Sequence, residues 1–443
     1  MKKYIIILLI LSPILGNTQD RNVFWTHGLG DDADFWNDEY ARAERNYKIN
    51  SSGFTYPTNQ GISAYADRIR SGSYPLRGSQ TIAIGHSMGG VAIREADRDN
   101  ASLYGGMITF GAPLDGARIA NEARSGGVNR FITQSMDNLR RGPIASQTRS
   151  KWQVFIGGVT DAITGGGLSV IIRSFASAAI LDITDNLTGG FQQTITNNFD
   201  PTNPSVKDLA EGSAYFNTIR NYSSSKPKIF AWGDENSPVH MRMFTSSITQ
   251  DDNFAELMLT AYNTVGVGYR AAGDGINTGW FPWCWNSCRN EKRREKEAWY
   301  VGYDYLNRGW EVAWNQLTDA RVLQRYTTTE RVYECSGSPL GLRPIRIDDI
   351  CPMFIEPRGG SSNCNNCRWV NRTVTRTRWA NQPSDGFIKR DSQIGRISAW
   401  GGDPARLPDV NHLEMGVHPE TNELLRDAFN GGRFNIFFKT TRR

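Results

Sequence analysis

One short segment restricts the fold more than any other part of the chain. Gly85-His86-Ser87-Met88-Gly89 fits the pattern G-x-S-x-G, and Gly90 extends it. The apolar run at residues 81–85 (TIAIG) predicts a buried strand before the serine, and residues 88–97 predict a helix after it. Small residues two positions before and after a serine let strand and helix approach closely around a strained turn. We therefore predict a strand–turn–helix unit with Ser87 at its apex.

Strands and helices alternate on both sides of this unit. Further buried strands are predicted at residues 22–26, 106–110 and 228–232, and helices at residues 34–45 and 61–70. Such alternation indicates a mostly parallel central sheet flanked by helices on both faces. The fold class predicted is therefore α/β.

The chain of 443 residues is long enough for one large α/β domain with an insertion. We predict a first part of the core at residues 20–240 and a second part at 380–443, separated by an insertion rich in Cys and Trp at 241–379. The first part includes helices that resemble a lid at about residues 117–222. Within them, the apolar stretch 168–183 is too short to span a membrane and is interpreted either as an ordinary buried helix or as a mobile lid.

The N-terminus has the pattern of a signal peptide at residues 1–19. Lys2 and Lys3 precede a short apolar run at residues 4–15, and small and polar residues follow. The run is too short to anchor the chain comfortably in a bilayer, so we expect cleavage between Gly16 and Asp20. This predicts a secreted or periplasmic protein.

The six cysteines all lie in the predicted insertion. An even number of cysteines in an exported protein favours disulfides, whose pairing the sequence leaves open. Zinc is the alternative, because Cys364 and Cys367 have the spacing of metal ligands. The pattern lacks a clean second CxxC, since Cys284 and Cys288 are four apart. We therefore predict disulfides and no metal.

The charge of the chain argues against nucleic acid as a partner. A formal net charge of +5 is small for this length. The densest basic run, residues 289–294, contains Glu291 and indicates a solvated helix face, with contact to an anionic surface as the alternative. We predict no cofactor, and the only surface contact we expect is with a lipid or membrane interface.

A glycine-rich turn follows the first predicted strand. In the sequence Trp25-Thr-His-Gly-Leu-Gly30, the backbone N–H of Leu29 is placed to face a reacting carbonyl, and the N–H of Met88 supplies a second donor. His27 precedes the serine, so we interpret it as structural rather than catalytic.

With these motifs in place, the chain resembles bacterial lipases and hydrolases related to GPI inositol-deacylases. The segments that carry the resemblance are the His-Gly-Leu-Gly turn, the Gly-His-Ser-Met-Gly-Gly unit and the stretch I-T-F-G-A-P-L-D-G at residues 108–116. Leu114 stands where that family usually has His. The resemblance implies an α/β-hydrolase fold in which the nucleophile, a carboxylate and a histidine follow one another along the chain.

The resemblance also implies which residues complete the site. Ser384-Asp385-Gly386 is similar to the family segment that carries the carboxylate, and Asn411-His412 is similar to the segment that carries the base. Ser87, Asp385 and His412 are therefore predicted as nucleophile, acid and base. Some bacterial lipases bind calcium through an Asp two residues after the base, where this chain has Glu414, and we predict no ion.

Other residues compete for two of these roles. Asp234 and Glu235 follow the predicted strand 228–232, a common location for the acid in this fold, and His240 and His418 are alternative bases. His418 precedes Pro419 and is expected to cap or pack a helix.

These features predict a secreted serine hydrolase that cleaves a carboxylic ester, with a lipid acyl ester as substrate, through an acyl-enzyme on Ser87. An acyltransferase or amidase would use the same three residues. A protein without enzymatic activity, binding a surface through the insertion, is the third hypothesis, and a broken triad would distinguish it.

Overall fold

The structure is a computed structural model that describes residues 21–72, 78–145, 199–235, 266, 269–270, 273–276, 278, 286–305, 309–335 and 367–430. The predicted signal peptide and the apolar stretch 168–183 lie outside the described residues. So do His240, Cys284, Cys351 and Cys364.

A six-stranded sheet forms the centre of the described chain. Its strands run in the order β2-β1-β3-β4-β5-β8, and each of the five neighbouring pairs is parallel. In chain order these strands are β1 (Asn22–Thr26), β2 (Asn50–Gly53), β3 (Gly78–His86), β4 (Tyr104–Phe110), β5 (Lys228–Asp234) and β8 (Asp403–Pro408). The parallel sheet predicted from the alternating pattern is thereby confirmed.

The four strands that the sequence predicts occupy the interior of this sheet, whereas its two edge strands were not predicted. β2 has the sequence NSSG and β8 has the sequence DPARLP, so neither carries the apolar run that marks a buried strand. Proline lacks an N–H donor and is tolerated at a sheet edge, where one side of the strand needs no partner. The two edge strands can therefore be recognised only from their pairing with a neighbouring strand in the folded chain.

Helices cover both faces of the sheet. In chain order they are α1 (Asn37–Tyr47), α2 (Ile62–Gly72), α3 (Met88–Asp99), α4 (Arg118–Arg124), α5 (Gly127–Ala145), α6 (Pro204–Leu209), α7 (Ala214–Ile219), α8 (Asn286–Asp304), α9 (Trp310–Leu317), α10 (Arg390–Gln393) and α11 (Pro419–Asn430). A 3₁₀-helix, Ala33–Trp36, precedes α1.

The helices on the two faces of the sheet belong to two different buried clusters. Phe24 of β1 and Ala83 of β3 belong to a cluster with α2, α3, α4, α6 and α7, whereas their neighbours Trp25 and Ile84 belong to a cluster with α1 and α11. Successive side chains of a strand point to opposite faces, which explains this alternation. The continuous apolar runs in the strands reflect burial on both sides.

The described helices in the first part of the predicted insertion, α8 and α9, pack with the core. α8 contributes the fully buried Trp299 to the larger cluster, and α9 contributes Trp314. The hydroxyls of Ser135 in α5 and Tyr305 are 2.6 Å apart. The compact unit that contains the sheet accordingly includes residues 286–320, and the unit that separates from it, Arg321–Asn381, is shorter than the predicted insertion of 241–379.

The separate unit is built on a long antiparallel hairpin. Strands β6 (Arg321–Cys335) and β7 (Cys367–Asn381) pair along their whole length. Cys335 stands opposite Cys367 at the end of the ladder. The predicted disulfides stay a prediction.

None of the helices described here combines the length and the apolar character that crossing a bilayer requires.

Burial of Glu39 in α1 makes folding stability depend on pH. Its carboxylate is shielded from solvent, Oε1 makes no hydrogen bond, and the Nη1 atom of Arg42 is 3.6 Å away. Burial raises the pKa of Glu39 to about 7, from 4.5 for the free group. The folded state therefore holds this proton more tightly than the unfolded chain, so stability falls as the pH rises from 4.5 through 7.

We expect Glu39→Gln to remove this loss of folding stability at high pH. The free energy of unfolding should rise by up to about 3 kcal/mol at pH 8.5 and by less than about 1 kcal/mol at pH 5. Denaturant unfolding of both proteins at the two pH values measures the difference. Glu44→Gln, an exposed carboxylate on the same helix, is the control. Equal gains at pH 5 and pH 8.5 would contradict the prediction.

Candidate active site

Ser87 lies at a sharp turn between β3 and α3. Its backbone has φ 50° and ψ −126°, a region that residues other than glycine rarely occupy. Three glycines allow the close packing around it. A Cβ built on Gly85 would lie 2.6 Å from Gly90 N, one on Gly89 would lie 2.5 Å from His27 O, and one on Gly90 would lie 2.5 Å from the Ala112 Cβ. The strained turn and the need for small residues around it, both predicted from the pentapeptide, are confirmed.

The structure brings the three predicted side chains together. His412 Nε2 is 2.9 Å from Ser87 Oγ, and His412 Nδ1 is 2.7 Å from Asp385 Oδ2. Because a carboxylate accepts hydrogen bonds and does not donate them, Nδ1 carries the proton and Nε2 is left to accept one from the serine. This is the arrangement of a serine nucleophile with a general base and an orienting carboxylate.

Asp385 is held in place by the loop that carries it. Its Oδ1 accepts hydrogen bonds from the backbone N–H groups of Phe387 (3.0 Å) and Ile388 (2.7 Å), so Oδ2 is turned toward His412. The backbone N–H of His412 donates to the Asp385 carbonyl at 2.8 Å. Gly111 leaves room for the pair, because a Cβ there would lie 2.9 Å from Asp385 Oδ2 and 3.0 Å from His412 Nδ1. The acid and the base are therefore fixed to each other by backbone as well as by side chain.

The turn after β1 leaves the backbone N–H of Leu29 unused. Tyr56 bridges His27, because its hydroxyl accepts from the His27 N–H at 2.9 Å and donates to the His27 carbonyl at 3.1 Å; Tyr65 donates to the same carbonyl at 2.8 Å. Thr58 Oγ1 accepts from the Gly30 N–H at 2.9 Å. In the described part of the chain the Leu29 N–H makes no hydrogen bond. These bonds hold the turn while its central N–H stays available.

Met88 is the first residue of α3, so its N–H has no acceptor within the helix. The two backbone donors predicted for an oxyanion, at Leu29 and Met88, are thus both uncommitted within their own elements. Their role in binding an oxyanion stays a prediction.

His86 is a site residue that the sequence reasoning missed. Its Nε2 lies 2.9 Å from the His412 carbonyl, and because that oxygen accepts, Nε2 carries the proton. Burial lowers the pKa of His86, which keeps the ring neutral. The signal was its place inside the pentapeptide, next to the nucleophile.

A tryptophan from the predicted insertion supports the acid loop. Trp314 of α9 donates from Nε1 to the Gly386 carbonyl at 2.8 Å and packs edge-on against Phe387 at 5.3 Å. The Phe387 ring in turn lies 5.6 Å from His412. No local pattern in the sequence points to this contact, because α9 and the loop are about 70 residues apart.

The other candidates for the acid and the base that the structure describes have different roles. Asp234 forms an ion pair with Arg406, whose Nε is 2.7 Å from Asp234 Oδ2. Glu235 N donates to the Ser384 carbonyl beside the acid loop. His418 Nδ1 accepts from the Glu420 N–H at 3.2 Å, which is the capping role expected for it at the start of α11. His27 stacks on Tyr56 with ring centres 3.9 Å apart.

Glu414 is buried two residues after His412. Among the residues that the structure describes, no group of three or more His, Cys, Asp or Glu side chains forms a candidate metal site.

No family model matches the sequence, and no curated protein matches it. The chain is similar to a solved extracellular α/β-hydrolase from a Paenibacillus species, with 15% identity over 47% of this chain and 76% of that chain and a TM-score of 0.24. It is also similar to an N-acyl homoserine lactone degrading enzyme (12% identity, 48% and 74%, TM-score 0.26). A third similar structure is a hydrolase from Oleispira antarctica (12%, 54% and 78%, TM-score 0.27). These TM-scores are too low to establish a shared fold, so the fold class rests on the strand order described above.

The hydroxyl of Tyr65 offers a test of the turn after β1. We expect Tyr65→Phe to slow the reaction of Ser87 with a fluorophosphonate about tenfold, because a less firmly held turn presents the Leu29 N–H less well to the phosphonyl oxygen. Labelling rates with a fluorescent probe measure this. Tyr47→Phe, a buried tyrosine that packs against Phe429 in the other cluster, should react like the wild type. An unchanged rate in Tyr65→Phe would show that the hydroxyl does not support the donor.

Proposed function

We propose that the chain is a secreted serine hydrolase of the α/β-hydrolase class that cleaves a carboxylic ester through an acyl-enzyme on Ser87. The observation that carries the proposal is the hydrogen-bonded chain from Asp385 through His412 to Ser87, with distances of 2.7 Å and 2.9 Å. The strained conformation of Ser87 supports it, because a backbone in that region persists only when the surrounding structure enforces it and is frequent at reacting residues.

The first half of the reaction forms the acyl-enzyme. Ser87 Oγ attacks the ester carbonyl carbon while its proton passes to His412 Nε2. Asp385 keeps the imidazole in the required tautomer and stabilises the imidazolium. The negative charge that develops on the carbonyl oxygen is bound by the N–H groups of Leu29 and Met88, each of which is worth about 10²–10³ in rate when well placed.

The second half releases the acid. As the tetrahedral adduct collapses, the bond between the carbonyl carbon and the alcohol oxygen breaks, and His412 gives its proton to the leaving alcohol. A water molecule then attacks the acyl carbon, its proton passes to His412, and Ser87 Oγ takes that proton back as the carboxylic acid leaves. The net reaction consumes one water and regenerates all three side chains.

The substrate we propose is a lipid acyl ester. The resemblance of the three motif segments to bacterial lipases supports an apolar acyl chain. The basic and apolar N-terminal segment supports export to the periplasm or the medium, where contact with a lipid or membrane surface brings substrate to the site.

Hydrolysis of p-nitrophenyl esters from acetate to palmitate tests the reaction and the acyl preference together. We expect the wild type to prefer long chains, and Ser87→Ala and His412→Ala to lose at least about 10⁴-fold in kcat, because each removes a partner of the proton transfer.

The loss of kcat supports these roles only if both variants fold like the wild type. The thermal midpoints of both variants should match that of the wild type, since the turn is enforced by the glycines and not by the hydroxyl. A wild type that is inert on every ester yet labels at Ser87 would refute the ester substrate. A wild type that neither hydrolyses nor labels would refute the enzyme.

A matched pair of variants identifies the acid. We expect Asp385→Asn to lower kcat about 10⁴-fold, because an amide favours the wrong imidazole tautomer. Asp234→Asn should stay within about tenfold of the wild type, since Asp234 is paired with Arg406. Rates on one activated ester measure both. A larger loss in Asp234→Asn than in Asp385→Asn would reverse the assignment.

A further inference from the structure

A pocket opens beside the turn that carries the proposed oxyanion donor. Its volume is about 330 Å³, and its walls are formed by the turn after β1, by residues 56–59 and by Asn203 at the start of α6. The polar groups that line it belong to Asp31, Thr58, Asn59 and Asn203, and Leu29 lines it as well. A pocket of this composition suits a polar part of a ligand better than an acyl chain.

Asp31, which lines the pocket, also lies close to Ser87. A Cβ built on Gly28 would lie 3.0 Å from the Ser87 Cβ and 2.9 Å from Asp31 Oδ2. Ser87 and the Asp31 carboxylate therefore both face the Cβ position of the same glycine. A substrate with its carbonyl at Ser87 places its neighbouring atoms within reach of this carboxylate.

The Asp31 carboxylate has no cation to balance it among the described residues. The group within ion-pair distance is His86, whose Nδ1 is 3.7 Å from Asp31 Oδ2. Since Nε2 of His86 donates to the His412 carbonyl and burial keeps the ring neutral, Nδ1 presents a lone pair to the carboxylate and not a charge. His27, in the turn after β1, also has its pKa lowered by burial.

The Asp31 side chain lines the pocket and is 35% exposed. A positive charge about 4 Å from a carboxylate is attracted to it, more strongly the less solvent screens the pair, whereas an anion there is repelled.

We infer that this pocket binds a cationic group of the substrate, with Asp31 as the residue that determines this specificity. The inference rests on the proposed ester hydrolysis at Ser87 and adds to it the chemical class of the group next to the scissile ester. A substrate of this kind joins an acyl group to an alcohol that bears an ammonium group. Thr58, Asn59 and Asn203 line the remaining wall.

Two thioesters that differ in charge alone provide the test. Acetylthiocholine carries a quaternary ammonium, and 3,3-dimethylbutyl thioacetate has the same shape with a neutral carbon in its place. The thiol released from each is followed with a disulfide reagent. We expect the wild type to prefer the cationic thioester about tenfold in kcat/KM, and Asp31→Asn to abolish that preference. Asp38→Asn, an exposed carboxylate on α1, is the matched control and should keep it.

Labelling of Ser87 by a neutral fluorophosphonate separates specificity from damage. In the wild type, choline should slow labelling more than 3,3-dimethylbutanol does, and in Asp31→Asn the two alcohols should slow it equally. Equal use of the two thioesters by the wild type, or a preference that survives in Asp31→Asn, would overturn the inference and leave ester hydrolysis intact. Absence of both hydrolysis and labelling in the wild type would overturn the proposed function, and this inference with it.

Discussion

The close approach of β3, α3 and the turn after β1 around Ser87 is the constraint on which the site depends. Each of three glycines faces backbone or a side chain at a distance that excludes even one methyl group. Ser87 can hold φ 50° because these contacts leave it no alternative. The same packing holds the turn after β1, which carries Leu29, against the start of α3, where Met88 lies. The proposed nucleophile and the proposed donors are thus positioned by backbone.

The acid and base reach this turn from a distant part of the chain, and they do so as one unit. The Asp385 carbonyl accepts from the His412 backbone N–H and Oδ2 accepts from its ring, so two hydrogen bonds join the two residues. Gly111 and Gly233 clear the space that the pair occupies. Trp314 then holds the loop from outside. Helix α9, which is distant from Asp385 along the chain, therefore helps to position the proposed acid.

Much of the fold followed from local patterns, and the exceptions have physical causes. The four buried strands and the strand–turn–helix unit around Ser87 were predictable, because apolar runs and glycine spacing reflect burial and close packing directly. The polar edge strands β2 and β8 carry no such signal and are defined by their neighbours. Asp385 and His412 came from resemblance, since no periodicity marks them. Tyr65 and Trp314 could not be predicted, because their roles are hydrogen bonds to backbone atoms that only the folded chain brings near.

The order of these residues along the chain has a consequence for how the protein is made. His412 is 325 positions after Ser87. At ribosomal rates of roughly 5–20 residues per second, the strands around the serine are complete tens of seconds before the base is synthesised. Throughout that interval the nascent chain lacks the residue that we propose takes the proton of Ser87. The proposed reaction can begin only when the last edge strand, β8, has joined the sheet and the residues that follow it have folded.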